Sequence, residues 1–243
     1  MEAVSQIARY LLVLALMVPL LGGALILAVF SEHWSWRMVR AWNRAALAIF
    51  GITVEAQFDG GAEQLDQGGI IVGLTQQSIL DPTVGFAVWD RPVKAIWNIE
   101  YALIPFFGWV SFILGWVIVR QNPAQSRKQI DKAAQYAGDG GLVYLSAEGK
   151  RSSDGQLSPY KKGPVVMAIN AQAPIHPAYM TGSRSCLPPG EWKIRPGKIV
   201  LRYLAPIPTK GLSYQDRHEL LDRLRAVGEQ EHAKWCKHGE PVA

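Results

Sequence analysis

Cysteine is scarce in this chain of 243 residues, and its scarcity excludes two kinds of architecture. The two cysteines, Cys186 and Cys236, lie far apart along the sequence. Two distant thiols cannot form the disulfide framework of a small secreted domain, and they do not have the spacing of metal ligands. The sequence therefore predicts a protein of a reducing compartment that has no metal site.

Repeats, low-complexity tracts and obvious linkers are also missing. Proline and glycine are scattered rather than clustered, so the length predicts one domain with an appended helical segment. The net charge of +5 comes without a zinc-finger, RNP-type or helix-turn-helix signature, so we expect no nucleic-acid partner. Nine tryptophans accompany that charge, and this combination favours a membrane interface with anionic headgroups.

Two common catalytic signatures are absent as well. Residues 148–150 (EGK) resemble part of a phosphate-binding loop, but the Walker pattern would need Gly in place of Tyr144 and Ser or Thr in place of Arg151. The chain also contains no Gly-x-Ser-x-Gly elbow. These absences exclude a P-loop nucleotidase and a serine hydrolase of the elbow type.

The longest apolar run covers residues 10–30, which contain no charged side chain. As a helix this run would rise about 30 Å, the thickness of the hydrocarbon core of a bilayer. Pro19, Gly22 and Gly23 lie in its middle, so the sequence leaves open a spanning helix or a re-entrant hairpin. A cleaved signal peptide and a soluble core helix are the less favoured alternatives.

Residues 34–50 have the composition of an interfacial amphipathic helix. Three tryptophans and three arginines interleave there before an aliphatic end. Only Glu2 and Arg9 are charged before the apolar run, so the arginine excess after it predicts a following domain on the cytosolic face, most simply of a bacterial inner membrane. We therefore predict membrane-anchoring helices at 1–50 and an α/β domain at 51–243.

Strand and helix patterns alternate after residue 51. Strands are predicted at 52–58, 69–74, 93–97, 116–119, 142–145, 175–179 and 199–204. Helices are predicted at 106–114, 123–137 and 164–171, and a last helix begins at Ser213, whose hydroxyl can cap it. The alternation predicts an α/β fold with a mixed, largely parallel central sheet flanked by helices, preceded by the N-terminal membrane-associated helical segment.

Four ordered stretches carry the candidate chemistry. They are TQQSILDP at 75–82, IPFFGW with GWVIVR at 104–109 and 115–120, SAEGKRS with YKKG at 146–152 and 160–163, and PIHPA at 174–178. In this order, behind an apolar helix, they resemble the motifs of the glycerophospholipid acyltransferases, in particular the bacterial 1-acyl-sn-glycerol-3-phosphate acyltransferases. That family shows Asn-His-Gln-Ser-x-x-Asp, Ile-Pro-x-x-Gly-Trp, Phe-Pro-Glu-Gly-Thr-Arg-Ser, Phe-Lys-x-Gly and Val-Pro-Val. The resemblance runs over about residues 37–208.

The resemblance implies acyl transfer from acyl-CoA or acyl-carrier protein to the sn-2 hydroxyl of 1-acylglycerol-3-phosphate, which gives phosphatidate. It implies no cofactor, and it implies membrane lipids, lysophospholipid and the acyl carrier as partners; no oligomeric state is indicated. The motif His would remove the hydroxyl proton, and the motif Asp, matched by Asp81, would orient that imidazole. The matching positions for binding the substrate phosphate are Arg120, Glu148, Gly149, Arg151 and Lys161.

Gln76 stands where the family has its catalytic histidine. An amide cannot accept a proton at neutral pH, so we expect conventional catalysis to be slower by about 10²–10⁴-fold. Three explanations stay open: a catalytically dead member that binds lysophospholipid or the membrane surface, a member with another base or lysolipid acceptor, or an isolated change at Gln76. His176 is the candidate for another base, although a structural histidine is the favoured interpretation.

Overall fold

The computed structural model describes residues 2–103, 108, 114–119, 121–152 and 154–237. Its strands are β1 (Ile52–Phe58), β2 (Gly69–Gly73), β3 (Val93–Asn98), β4 (Gly115–Ile118), β5 (Leu142–Ser146), β6 (Ile175–Thr181) and β7 (Gly197–Tyr203). Within the described residues they form one sheet in the order β1-β7-β6-β2-β5-β3-β4. Every neighbouring pair is parallel except β6 and β7. The predicted mixed, largely parallel sheet is therefore confirmed, together with all seven predicted strands.

The helices alternate with these strands as the sequence predicts. They are α1 (Glu2–Leu27), α2 (Glu32–Ile49), α3 (Asp81–Val88), α4 (Ile99–Ala102), α5 (Pro123–Gly138), α6 (Gly163–Ala171), α7 (Ser183–Cys186) and α8 (Arg217–Lys237). Ser213 and Asp216 form a capping box around a 3₁₀ turn that leads directly into α8, so the predicted start of the last helix is confirmed. The helix predicted at 106–114 falls mostly outside the described residues.

The sheet separates two apolar clusters, and β2 contributes to both. All five residues of β2 are buried, because β5 and β6 flank it and helices cover both faces. Ile71 packs in the cluster that contains side chains of α1, α2 and α3, whereas Ile70 and Val72 pack in the cluster of α5, α6 and α8. This double burial explains the continuous apolar run that marks β2 in the sequence.

Helix α1 is continuous through Pro19 and lies antiparallel to α2. The Trp42 indole donates to the carbonyl of Val13 (3.2 Å), and the Ser35 hydroxyl donates to the carbonyl of Ala24 (2.9 Å). The internal turn that the sequence left open at Pro19 is therefore not formed. The segment Ala3–Leu27 is long and apolar enough to cross a membrane, with a mean hydropathy of 2.5 and only 22% of its most apolar window buried.

The apolar face of helix α2 packs against the rest of the protein. Trp36, Val39 and Leu47 are buried in the cluster shared with α3, and the Trp36 indole donates to the carbonyl of Trp89 (3.1 Å). Trp34 stays exposed, with Arg37 stacked over its ring. The interfacial character predicted for residues 34–50 is thus limited to the outer side of the helix, and the boundary at residue 50 stays a prediction.

Candidate active site

The loop after β2 is folded around the carboxylate of Asp81, the first residue of α3. The Asp81 Oδ2 accepts hydrogen bonds from the backbone N–H groups of Gln77 (2.8 Å) and Ser78 (3.1 Å). The Ser78 hydroxyl donates to the carbonyl of Leu187 (2.8 Å), which ties the loop to the segment after α7. The motif Asp therefore fixes the shape of the loop that carries position 76.

Burial makes Asp81 a weaker acid than an ordinary aspartate. Its side chain is removed from water, which raises its pKa from 3.8 to about 6. The Ser183 hydroxyl, the two backbone donors and the charge of Arg151 oppose this shift without cancelling it. The carboxylate is thus held beside position 76 in an environment that disfavours its charge.

Gln76 is fixed through its main chain and free at its side chain. Its N–H donates to Oε2 of Glu148 (2.6 Å), and its carbonyl accepts from the N–H of Ser152 (2.7 Å). Its side chain lines a cavity, and Oε1 is buried without a hydrogen-bond partner. Among the hydrogen bonds of the described residues, none joins the Gln76 side chain to Asp81. The amide oxygen is therefore a buried acceptor that no described residue satisfies.

Glu148 is a buried residue that joins two loops next to the cavity. It is 1% exposed, and its two carboxylate oxygens accept from the N–H groups of Gln76 and Ser158, the latter at 2.5 Å. Burial raises the pKa of Glu148, while these two donors lower it. Both oxygens of Glu148 join two loops, and a carboxylate would repel phosphate, so its matched place among the phosphate-binding residues stays a prediction.

The cavity beside Gln76 has a volume of about 710 Å³ and two chemically different halves. One half is apolar and lies between the sheet, α5 and α6. Its side chains are Ile96, Ile118, Ile130, Leu145 and Met167. The other half is basic, with Lys150, Arg151 and Lys161. Gln76, Asn98 and Glu100 also line the cavity, so its wall offers apolar and cationic side chains to one ligand beside the amide.

The basic half also contains backbone that suits an anion. Gly163 and Pro164, which open α6, line the cavity, and helix N-termini attract negative charge. Gly149 adopts φ +71°, a conformation that favours glycine, and its place is next to the Lys161 side chain. The N–H of Lys161 donates to the carbonyl of Ala147 (2.7 Å), which holds the two motif segments together. Gly149, Arg151 and Lys161 are thus brought to one wall, while Arg120 lies outside the described residues.

His176 lies at the other end of the sheet. It pairs with Ile71, the middle residue of β2, and its Nε2 is 2.8 Å from the carbonyl of Gly68, the residue before that strand. It is 1% exposed, and burial lowers its pKa while the contact with Gly68 raises it. Because the C-terminal end of β2 leads to Gln76, His176 has no access to the cavity from this position, which agrees with the structural interpretation.

The apolar half of the cavity was not identified from the sequence. Ile96, Ile118 and Ile130 come from β3, β4 and α5, and nothing in their pattern distinguishes them from core side chains. Lys150 is not among the site residues predicted from the sequence, yet it lines the basic half. Its position between Gly149 and the matched Arg151 was a signal that could have identified it.

Comparison with known proteins agrees with the fold. The acyltransferase family model matches residues 58–181, which include the Gln76 loop and the Glu148 segment. The chain belongs to the acyltransferase family, and the resemblance noted in the sequence is confirmed. A 1-acyl-sn-glycerol-3-phosphate acyltransferase of Limnanthes alba is 30% identical over 195 residues, which cover 76% of this chain and 67% of the plant protein.

Two further similarities define the extent of the match. A Caenorhabditis elegans relative is 30% identical over 164 residues, 66% of this chain but only 58% of that protein. The crystal structure of the 1-acyl-sn-glycerophosphate acyltransferase PlsC from Thermotoga maritima superposes with a TM-score of 0.77 at 20% identity and covers 96% of this chain and 97% of that one. The fold is therefore shared over nearly the whole chain, including the N-terminal helices.

Proposed function

We propose that this chain acts on 1-acylglycerol-3-phosphate and transfers an acyl group to its sn-2 hydroxyl slowly, because Gln76 cannot take the hydroxyl proton. The observation that carries the proposal is a cavity whose lining combines basic side chains, apolar side chains and Gln76. The names of the relatives, 1-acyl-sn-glycerol-3-phosphate acyltransferases, support the same substrate class.

The acceptor's phosphate would bind to Lys150, Arg151 and Lys161 at the N-terminus of α6. An acyl chain would occupy the apolar half, where each buried methylene contributes about 0.8 kcal/mol. The acyl donor is a thioester of coenzyme A or acyl-carrier protein, and no metal or cofactor is needed for the exchange.

Transfer forms one bond between the sn-2 oxygen and the thioester carbon and breaks the bond from that carbon to sulfur. The hydroxyl proton must leave, and the thiolate takes up a proton as it departs. The Gln76 side-chain amide lines the cavity and can form a hydrogen bond with the hydroxyl, but it cannot remove the proton. Positioning alone therefore accounts for the remaining catalysis, and the loss of a general base explains a low rate.

A second candidate function is binding of lysophospholipid without turnover. This function is supported by the combination at the site. The loop around Asp81 and the basic wall are present, whereas Gln76 replaces the proton acceptor. An acyltransferase for another lysolipid acceptor is a variant of the first proposal. The two candidates differ in turnover and not in lysophosphatidate affinity.

We also infer that α1 lies in a membrane and that the α/β domain faces the cytosol, as at a bacterial inner membrane. Val4, Leu11 and Val18 are among the large apolar side chains that α1 exposes, although α2 covers the opposite side of the helix. Because α1 packs along α2, this arrangement supports a helix that brings the domain close to the bilayer surface.

The test compares wild type, Gln76→His and Gln76→Ala, each with lysophosphatidate and either acyl-CoA or acyl-carrier protein as donor. Phosphatidate formation is measured, and lysophosphatidate affinity is measured separately. Gln76→His should raise kcat by about 10²–10⁴-fold over wild type, and Gln76→Ala should lower the residual rate. Lysophosphatidate binding with no turnover in any variant would favour the second candidate. Neither turnover nor binding would overturn both.

A further inference from the structure

The segment 187–196, which we term the Trp192 loop, connects α7 to β7 and has a fixed shape. The carbonyl of Leu187 accepts from the Ser78 hydroxyl at 2.8 Å, so one end of the loop is fastened to the Asp81 motif. The N–H of Arg195 donates to the carbonyl of Cys186 at 2.8 Å and closes the other end. Between them Ile194 is 4% exposed and packs in the core.

The apolar helix α1 is bonded to the outer part of this loop. The Tyr10 hydroxyl donates to the carbonyl of Trp192 (2.5 Å), and the Gln6 side-chain amide donates to the carbonyl of Ile194 (2.6 Å). These two donors lie on the first turns of α1, beside its exposed Ile7 and Leu11. The loop and the exposed apolar surface of α1 are therefore neighbours.

Three features of the loop suit a lipid surface. Trp192 is 47% exposed although it is held by a rigid backbone, and indole favours the headgroup region. Lys193 and Arg195 are exposed on either side of the buried Ile194, and the Lys193 ammonium lies 5.9 Å from the Trp192 ring. Pro189, in the same loop, lines the cavity beside Gln76.

The loop of the Asp81 motif adds a second apolar side chain. Ile79 is 48% exposed, although its neighbours Ser78 and Leu80 are buried. Since Ser78 is bonded to Leu187, Ile79 directly follows a residue that contacts the first residue of the Trp192 loop. An exposed isoleucine and an exposed tryptophan thus stand near the cavity that holds Gln76.

We propose that the Trp192 loop is a second membrane contact, in which Trp192 and Ile79 enter an anionic lipid surface and set the cavity against it. The inference rests on the proposed membrane attachment of α1. Its basis is the continuity of the loop with α1, the exposed cations of Lys193 and Arg195, and Pro189 in the cavity wall. A lysophospholipid would then pass from the bilayer along Pro189 to Gln76 without exposing its chain to water.

The direct test measures how deeply labelled residues lie in the bilayer, and it does not depend on turnover. Full-length Trp192→Cys, Ile79→Cys and Ile7→Cys variants are each made in a Cys236→Ser background and labelled with an environment-sensitive fluorophore. Cys186 is 2% exposed and should not react. Asp139→Cys is the control, because that exposed residue precedes β5 at the opposite end of the sheet. The probes are vesicles of phosphatidylglycerol and phosphatidylethanolamine, with and without brominated chains.

Brominated lipid should quench labels at positions 192, 79 and 7, and it should leave position 139 unquenched. Quenching at position 7 with none at 192 and 79 would overturn the loop contact and leave the attachment of α1 standing. No quenching at any position would overturn the attachment itself. Quenching at 139 as well would show indiscriminate adsorption and would also overturn the loop contact.

The affinity of the unlabelled protein for vesicles provides a second test that the attached fluorophore cannot influence. Trp192→Ala should bind these vesicles about tenfold more weakly, since the substitution removes the contact between the exposed indole and the lipid. Tyr214→Ala is the matched control, because Tyr214 is a 56% exposed aromatic on the segment that leads to α8. Equal affinity of Trp192→Ala, Tyr214→Ala and wild type would refute the contact.

Discussion

Replacement of Asp81 by Asn should stabilise the fold at neutral pH. Burial raises the pKa of Asp81 from 3.8 to about 6, so keeping it ionised in the folded state is unfavourable. The difference of about two pH units corresponds to roughly 3 kcal/mol at 1.36 kcal/mol per unit. An asparagine oxygen can still accept from the N–H groups of Gln77 and Ser78, so the loop keeps its hydrogen bonds.

The sign of the pH dependence follows from proton binding. Between pH 6 and 3.8 the folded protein carries a proton on Asp81 while the unfolded chain is still ionised there. The stabilising contribution of Asp81 to the free energy of unfolding is therefore fully present below pH 3.8, and it is lost as the pH rises through about 6. Asp81→Asn should be more stable than wild type by up to about 3 kcal/mol at pH 7.5, and this advantage should disappear near pH 4.

The assay is chemical unfolding of both proteins in detergent at pH values from 4 to 7.5. Subtracting the two curves removes the titration of Glu148 and His176, whose pKa values are also shifted by burial. The reasoning is refuted if Asp81→Asn is less stable than wild type at pH 7.5, or if the difference between them does not change with pH. In the Gln76→His background the same substitution should lower the rate, because the imidazole would lose its carboxylate partner.

Three further predictions concern the cavity and its support. Lys161→Met should weaken lysophosphatidate binding by about 5–30-fold in a titration, whereas Lys162→Met, one residue away and outside the cavity lining, should change it little. Met167→Trp should shift the preferred acyl chain to shorter lengths in a competition assay, at about 0.8 kcal/mol per excluded methylene; an unchanged preference would contradict the assigned chain site. Glu148→Ala should lower the free energy of unfolding by about 2–4 kcal/mol, because it leaves the N–H groups of Gln76 and Ser158 unpaired; a loss below about 0.5 kcal/mol would contradict its bracing role.

The strand order could not be obtained from the sequence, although the strands themselves could. Period-two alternation in the sequence identifies β1, although only Ile52 of that strand is buried, and a short apolar run identifies β2, all of whose residues are buried. The antiparallel pairing of β6 with β7 depends on long-range contacts that leave no local pattern. The same limit applies to the apolar half of the cavity, whose side chains come from five separate elements.

The tryptophans of α2 show a different limit. Interleaved indole and guanidinium groups predict a helix at a membrane surface, and the outer Trp34 and Arg37 agree with that pattern. The Trp36 and Trp42 indoles instead donate to carbonyls of Trp89 and Val13. Composition alone cannot distinguish an apolar face that meets lipid from one that meets protein, because both media favour the same side chains.

The roles of the site residues could be predicted from the sequence to different degrees. The motif predicts only that Asp81 orients an imidazole. The hydrogen bonds that its carboxylate accepts from the N–H groups of Gln77 and Ser78 are seen in the structure alone. The resemblance to the family motif assigns Glu148 to the phosphate-binding residues, together with Gly149 and Arg151. Its two loop-joining hydrogen bonds come from residues that are 72 and 10 positions away, which sequence proximity does not reveal.

The main-chain anchoring of Gln76 has a consequence for the history and redesign of the molecule. Its N–H and carbonyl are held by Glu148 and Ser152, so the loop geometry does not rely on the side chain at that position. Codons for glutamine and histidine differ only in the third base, so one nucleotide exchange converts one side chain into the other. A lineage carrying this chain is thus a single genetic step from installing an imidazole in a framework that is already built to receive it.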